Sequence, residues 1–168
     1  MADPPLIEPL RSQHDRVSFD CGEPSLDAYL QRQASQDIRR RVAQVFVLIG
    51  DTPHAIAGYY TLSAASFDRG ELPEGQAKRL PHYPVPAAIL GRLAVDQRYQ
   101  GRGHGETLLL DAVRRVLRAS DAIAMHAVVV DAKSDAAARF YARYGFVSFA
   151  TSPRRLVLPL DTFVKGGL

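Results

Sequence analysis

The sequence predicts a mixed α/β (α+β) fold: a central sheet of about six to seven strands flanked by about four helices, in a single domain spanning 1–168. Three observations predict it. First, the apolar spacing changes along the chain in the order strand, helix, hairpin, long loop, strand, helix, strand, helix, strand, strand. Second, Ile123 to Val130 is almost wholly apolar, as expected of a strand covered on both faces. Third, glycines 101, 103 and 105 join a strand-like run ending near Asp96 to an amphipathic helix.

Residues 6–22 alternate short apolar pieces with polar ones, which suits an edge strand and a loop. Pro24 fits a first helical position, and Leu26, Tyr29, Leu30, Ala34 and Ile38 recur at the spacing of one buried face. Arg39, Arg40 and Arg41 close that helix, where cations complement the C-terminal dipole. Val42–Ile49 and Ala55–Phe67, rich in β-branched and aromatic residues, flank a GDTP turn and predict a hairpin. Gly58 inside the second strand signals a bulge or a close backbone approach, and Tyr59 and Tyr60 must point to opposite faces. Residues 68–86, with Pro73, Pro81, Pro84 and Pro86, lack periodicity and are expected to form a long loop with Lys78, Arg79 and His82 at its tip.

Ile89–Val95 is the central strand, and Leu108, Leu109, Ala112, Val113 and Val116 carry the following helix to about Ala119. His126, alone in the apolar strand Ile123–Val130, is expected to be a satisfied core histidine. A short helix follows, with Asp135 as N-cap or first-turn acid, running through Tyr144 and ended by Gly145. Phe146–Ala150 and Arg155–Leu160 are expected as two strands parted by a Ser-Pro turn.

Composition narrows the function classes. A chain of 168 residues, 46% hydrophobic and 23% charged, reads as globular rather than disordered or fibrous. Its single cysteine, Cys21, excludes an intrachain disulfide and favours a reducing compartment. The chain opens MADPPLIEP, without a basic-then-apolar leader, and no run approaches the roughly 18 apolar residues of a membrane helix. A cytoplasmic protein with no membrane partner is therefore expected. A net charge of +3 permits a nucleic-acid partner without demanding one. No metal is expected.

The glycine turn cradles phosphates in principle, because its amides can approach a ligand and the following helix N-terminus offers free donors. Its spacing does not suit a GxGxxG dinucleotide site, and Gly-Lys-Ser/Thr is absent. Gln100-Gly101-Arg102-Gly103-His104-Gly105 instead resembles the (Q/R)-x-x-G-x-(G/A) acyl-CoA signature of the GNAT superfamily of N-acyltransferases. The second signature of that family, A-x-x-x-Y-x-x-x-G-F, matches Ala137, Tyr141, Gly145 and Phe146. The order and separation of the two motifs are those of the family. One position departs: many members carry Asn seven residues before the tyrosine, where this chain has Ser134.

The likeness extends along nearly the whole chain. FDCGEPSLDAYL, GYYTLS, LPHYPVP, GRLAVD, VDAKSDAAARFYARYGF and the closing Pro-Arg-Arg-Leu resemble the TacT-like acetyltransferase toxins of bacterial toxin-antitoxin modules. That resemblance implies acetyl-CoA as co-substrate, the α-amino group of aminoacyl-tRNA as acceptor, a block of translation, a ribbon-helix-helix antitoxin and a homodimer. It implies Tyr141 as general acid to the departing thiolate. It implies a cofactor site made by Leu93, Ala94, Val95, Gln100, Gly101, Arg102, Gly103, His104, Gly105, Glu106, Ser134 and Ala137.

Residue chemistry agrees with such a reaction. A phenol near pKa 10 facing a thiol near 8.5 is a workable acid, and backbone amides of Leu93–Val95 can meet a thioester oxygen. No general base stands out, although Asp96 or Asp131 could conceal one. An α-amine of pKa about 7.7 to 8.0 loses its proton to water far more readily than a lysine at about 10.4. Lys78, Arg79, Arg92, Arg39 and Arg40 are the candidates for tRNA contact. Arg92, in a largely apolar strand, must find a partner or reach the site. Two other readings stay open: a GNAT enzyme acting on a small amine or a protein N-terminus, and a non-catalytic acyl-CoA or nucleic-acid binding module.

Overall fold

The β-branched and aromatic runs of the sequence assemble in the computed structural model, which describes residues 3–166, into one seven-stranded mixed sheet. The strands are β1 (Ile7–Pro9), β2 (Gln44–Ile49), β3 (Ile56–Phe67), β4 (Val85–Val95), β5 (Ala127–Asp131), β6 (Val147–Phe149) and β7 (Ser152–Pro159). Their order across the sheet is β1-β2-β3-β4-β5-β7-β6. β1–β2, β2–β3, β5–β7 and β6–β7 are antiparallel pairs, and β4–β5 is parallel. The parallel ladder joins Ala87–Leu90 to Ala127–Val130 and ends there, while β4 runs on to Val95.

The helices are α1 (Pro24–Ala28), which passes through a π turn (Tyr29–Gln33) into α2 (Ala34–Arg39), then α3 (Glu74–Ala77), α4 (His104–Ala119), α5 (Asp135–Ala142) and α6 (Leu160–Lys165). Pro24 opens α1 as expected, and Leu26, Tyr29, Leu30 and Ala34 are buried. Among the described residues no helix is long and apolar enough to cross a membrane.

Contacts divide the chain into two units. One comprises Met1–Ser63 and Gly91–Ala112, the other Ala64–Leu90 and Val113–Leu168. In the first, Phe19, Leu26, Tyr29, Leu30, Val45, Val47, Ile56 and Tyr59 form the core. Tyr59 stacks on Tyr29 and gives its hydroxyl to Leu26 O at 2.7 Å, whereas Tyr60 stacks on Phe46 and reaches Asp111 at 2.6 Å. The two tyrosines do point to opposite faces. Both readings of Gly58 hold. The β2–β3 register slips beside it, and a Cβ there would lie 2.8 Å from Ala94 O and 2.8 Å from Leu108 Cδ1. In the second unit Phe67, Leu72, Val85, Val129, Phe149 and Val157 form the core.

Several expectations are corrected. Residues 68–86 are not one loop: Asp68 and Glu71 cap a 3-10 turn reciprocally, α3 follows, and β4 begins at Val85 rather than Ile89. Pro86 is tolerated there because it precedes the first ladder pair, Ala87–Ala127, where its missing N–H has no partner to lose, while its carbonyl accepts from His126 N–H at 2.8 Å. The fifth strand starts at Ala127, and Ile123, expected inside it, is 73% exposed. His126 is accordingly half-buried at the strand's entrance rather than a core residue. Ser152 and Pro153 lie within β7, not in a turn, and Leu160 starts a helix instead of ending a strand.

Candidate active site

The glycine turn follows from its residues. Gly101 and Gly103 have φ +78 and +80, a region that side chains rarely adopt, and a Cβ on either would meet nothing within 4 Å. The backbone is therefore left-handed and open to an approaching ligand. Thr107 N–H makes the first bond of α4, to Gly103 O at 3.1 Å, so the amides of His104, Gly105 and Glu106 precede the helical ladder as unpaired donors. Arg102 lies beside the turn, 5.7 Å over the Tyr99 ring. Open left-handed glycines, orphan amides at a 16-residue helix and an exposed arginine fit a pyrophosphate.

The turn is anchored by Asp96 and Gln100, in a structural role that the sequence did not assign to either. Asp96, 1% exposed, accepts from Arg98 Nε at 2.9 Å, Arg98 N–H at 2.9 Å and Asp20 N–H at 3.0 Å. Burial pushes its carboxyl upward, but these donors outweigh burial and hold it below the usual carboxylate range. Asp96 therefore clamps the turn, with its oxygens engaged by Arg98 and by two backbone amides. Asp131 is exposed and pairs loosely with Arg155 at 4.0 Å. Gln100 gives its amide to Val95 O at 2.9 Å and Cys21 O at 3.2 Å, bracing the loop through its side chain. His104 packs edge-on against Tyr99, and Glu106 is exposed in the first helical turn.

β4 presents its backbone in two directions. Asp96 N–H bonds Ala57 O at 2.8 Å, and Ala94 O lies against Gly58. By strand alternation the polar backbone groups of Ala94 face β3, whereas those of Leu93 and Val95 face away, on the side where no ladder with β5 continues past Leu90. Of the three expected carbonyl donors, Leu93 and Val95 therefore point away from β3 and Ala94 toward it. Arg92 finds its partner within the fold: its guanidinium sits 3.5 Å over the centre of the Tyr29 ring.

In the second unit Ser134 N-caps α5, its hydroxyl accepting from Ala137 N–H at 3.1 Å, with Asp135 as the first-turn acid. Gly145, φ +94, turns the chain past the helix end as expected. Tyr141 is 8% exposed between Phe140 and Phe146. Burial pushes its phenol up to about 12, above the ordinary value, so it keeps its proton throughout the physiological range. Lys78 and Arg79, with His126, Gly145 and Thr162, line a cleft of about 730 Å³. Arg39 and Arg40 are exposed at the end of α2. The sites thus fall into groups: the β4 end and glycine turn, the α5 face with Tyr141, the Lys78–Arg79 cleft, and the α2 terminus. Among the described residues no group of three or more His, Cys, Asp or Glu could hold a metal.

A family model described as an acetyltransferase (GNAT) domain matches residues 42–148, the span holding both the glycine turn and Tyr141. The chain belongs to the GNAT acetyltransferases. It is an acetyl-CoA-dependent acyltransferase by family. Among GNAT relatives, a tRNA-acetylating toxin of Mycobacterium tuberculosis is 39% identical over 86% of this chain and 85% of its own. The crystal structure of a tyrosine-to-phenylalanine mutant of KacT superposes with a TM-score of 0.91 at 31% identity, covering 97% of this chain and 99% of that one. AtaT complexed with acetyl-methionyl-tRNAfMet gives 0.90 at 31% identity over 98% and 100%. AtaT has also been solved as a tyrosine-to-phenylalanine mutant bound to the C-terminus of the antitoxin AtaR (0.83, 30% identity, 97% and 98%). AtaTR bound with AcCoA gives 0.84 at 32% identity over 98% of each chain.

Proposed function

We propose that this chain is an acetyl-CoA-dependent N-acetyltransferase toxin that acetylates the α-amino group of aminoacyl-tRNA and so blocks translation. It acts in the cytoplasm as a homodimer, and a ribbon-helix-helix antitoxin neutralises it. The observation that carries the reading is the nearly whole-chain likeness to the tRNA-acetylating toxin of M. tuberculosis and to AtaT in complex with an acetylated aminoacyl-tRNA.

Acetyl-CoA supplies the activated thioester. The amides at Gly101–Glu106, with Arg102, hold its pyrophosphate, and the Leu93 and Val95 amides meet the carbonyl oxygen as charge develops there. Ser134 acts by capping α5, which fixes Ala137 and Tyr141 on one rigid element. The acceptor nitrogen, neutral after losing a proton to water, forms the C–N bond as the C–S bond breaks. Tyr141 Oη gives its proton to the departing sulfur and regains one from the acylated nitrogen, so protons balance. A phenol held near 12 does not ionise for a thiolate near 8.5 alone. The step proceeds because the acylated nitrogen is a far stronger acid than either.

The commitment of Asp96 to Arg98 and to two backbone amides favours an α-amine, which loses its proton to water without a base. The reading is tested in a translation extract. Adding the protein with acetyl-CoA should stop peptide synthesis, and the product should be an N-acetylated aminoacyl ester. Continued synthesis, with acetylation confined to free amines or protein N-termini, would sink it.

A further inference from the structure

Arg41 has φ 60 and stands alone in that respect among the described non-glycine residues. It occupies the left-handed position that ends α2: Val42 N–H bonds Asp37 O at 3.0 Å, and Arg41 N–H bonds Ile38 O at 3.1 Å. That position ordinarily takes glycine, because a side chain there is strained. The Arg41 side chain is exposed, so packing does not offset the strain. Such strain persists where the side chain has a task.

The surrounding residues indicate the task. Arg32, Gln36, Arg39 and Arg40 are all exposed and follow the spacing of one helical face, with Arg41 continuing it past the helix end. Asp37, the one acid of this segment, accepts from the Tyr29 hydroxyl at 2.9 Å and from Gln33 at 3.0 Å and feels the charges of Arg92 and Arg40, so a single carboxylate offsets part of a larger cationic stripe. From Arg32 to Arg40 the cations extend about 12 Å along the axis. A duplex presents several phosphates over that length.

We infer that Arg41, with Arg32, Arg39 and Arg40, forms a phosphate-binding edge for the double-stranded part of the acceptor RNA. The inference rests on the charged-tRNA reading above. Contacts of this kind position the RNA without reading its sequence, and the left-handed turn fixes the direction in which Arg41 leaves the chain. Complementing the helix dipole would account for Arg39 and Arg40 but not for the strained residue after them.

The test compares wild type, Arg41→Gly, Arg41→Asn and Arg41→Lys in acetylation of charged tRNA over a range of salt. Arg41→Gly should raise Tm by about 2–4 °C as the strain is relieved, yet raise KM for charged tRNA several-fold. The slope of its dependence on log salt should fall by about 1. Arg41→Asn should follow it in KM and slope, Arg41→Lys should recover most of the loss, and KM for acetyl-CoA should not move. Unchanged KM and slope, in a wild type that acetylates charged tRNA, overturn the proposal and leave the reading of function intact. A wild type inert on charged tRNA overturns both. Lost neutralisation by the antitoxin with unchanged tRNA kinetics assigns the edge to a protein partner and also overturns the proposal.

Discussion

Tyr141 and Asp96 show how burial and partners set opposite chemistries at two acids. Tyr141 has aromatic neighbours and little water, so its phenol rises to about 12 and remains a proton source. Tyr141→Phe keeps the packing and removes the proton. Turnover should fall roughly 10²–10⁴-fold with acetyl-CoA affinity nearly unchanged, measured by single-turnover kinetics and direct titration; undiminished turnover would refute its role. The wild-type rate should climb through the α-amine pKa of about 7.7 to 8.0 and hold at higher pH, since the phenol ionises only far above that range. Asp96 is held below its ordinary value by its donors, so its stabilisation is present above the unfolded pKa of about 3.9 and is lost as pH falls through the folded value. Asp96→Asn should cost about 1–3 kcal/mol at pH 7 and flatten the loss of Tm below pH 4. A variant with wild-type Tm and the same acid profile would contradict the clamp.

At the scale of elements, the β3 bulge, the end of β4 and the glycine turn form one construction. Ala57 O takes Asp96 N–H, Gly58 lets Ala94 O and Leu108 come close, and Gln100 ties the turn back to Val95. Gly58→Ala should cost about 1–3 kcal/mol and weaken acetyl-CoA binding, because Ala94 O is backbone and cannot rotate away; calorimetry showing wild-type stability and affinity would contradict this. Gly58, the Gly101–Gly105 turn, Pro24 and Gly145 were legible in the sequence because each is a local backbone requirement. The start of β4 was not, since Pro86 argues against a strand until it is seen to precede the first ladder pair. Ile123–His126 misleads for the opposite reason: an apolar run suggests burial, yet Ile123 is exposed. The clamp of Asp96 on Arg98 and Asp20, and the left-handed Arg41, depend on tertiary contacts and turn geometry that composition and spacing do not encode.

For the whole molecule, a net charge of +3 conceals local concentration of cations, as in the exposed Arg39, Arg40 and Arg41 at the α2 end. The family match establishes acetyl transfer and leaves the acceptor to the surface and to the basicity of the amine. The most direct test incubates the protein with labelled acetyl-CoA and total charged tRNA, then identifies the modified aminoacyl ester. Label on the α-amino group of one or a few aminoacyl-tRNAs, absent from uncharged tRNA, is the predicted result. Label confined to free amines or protein N-termini, with charged tRNA untouched, would contradict the account.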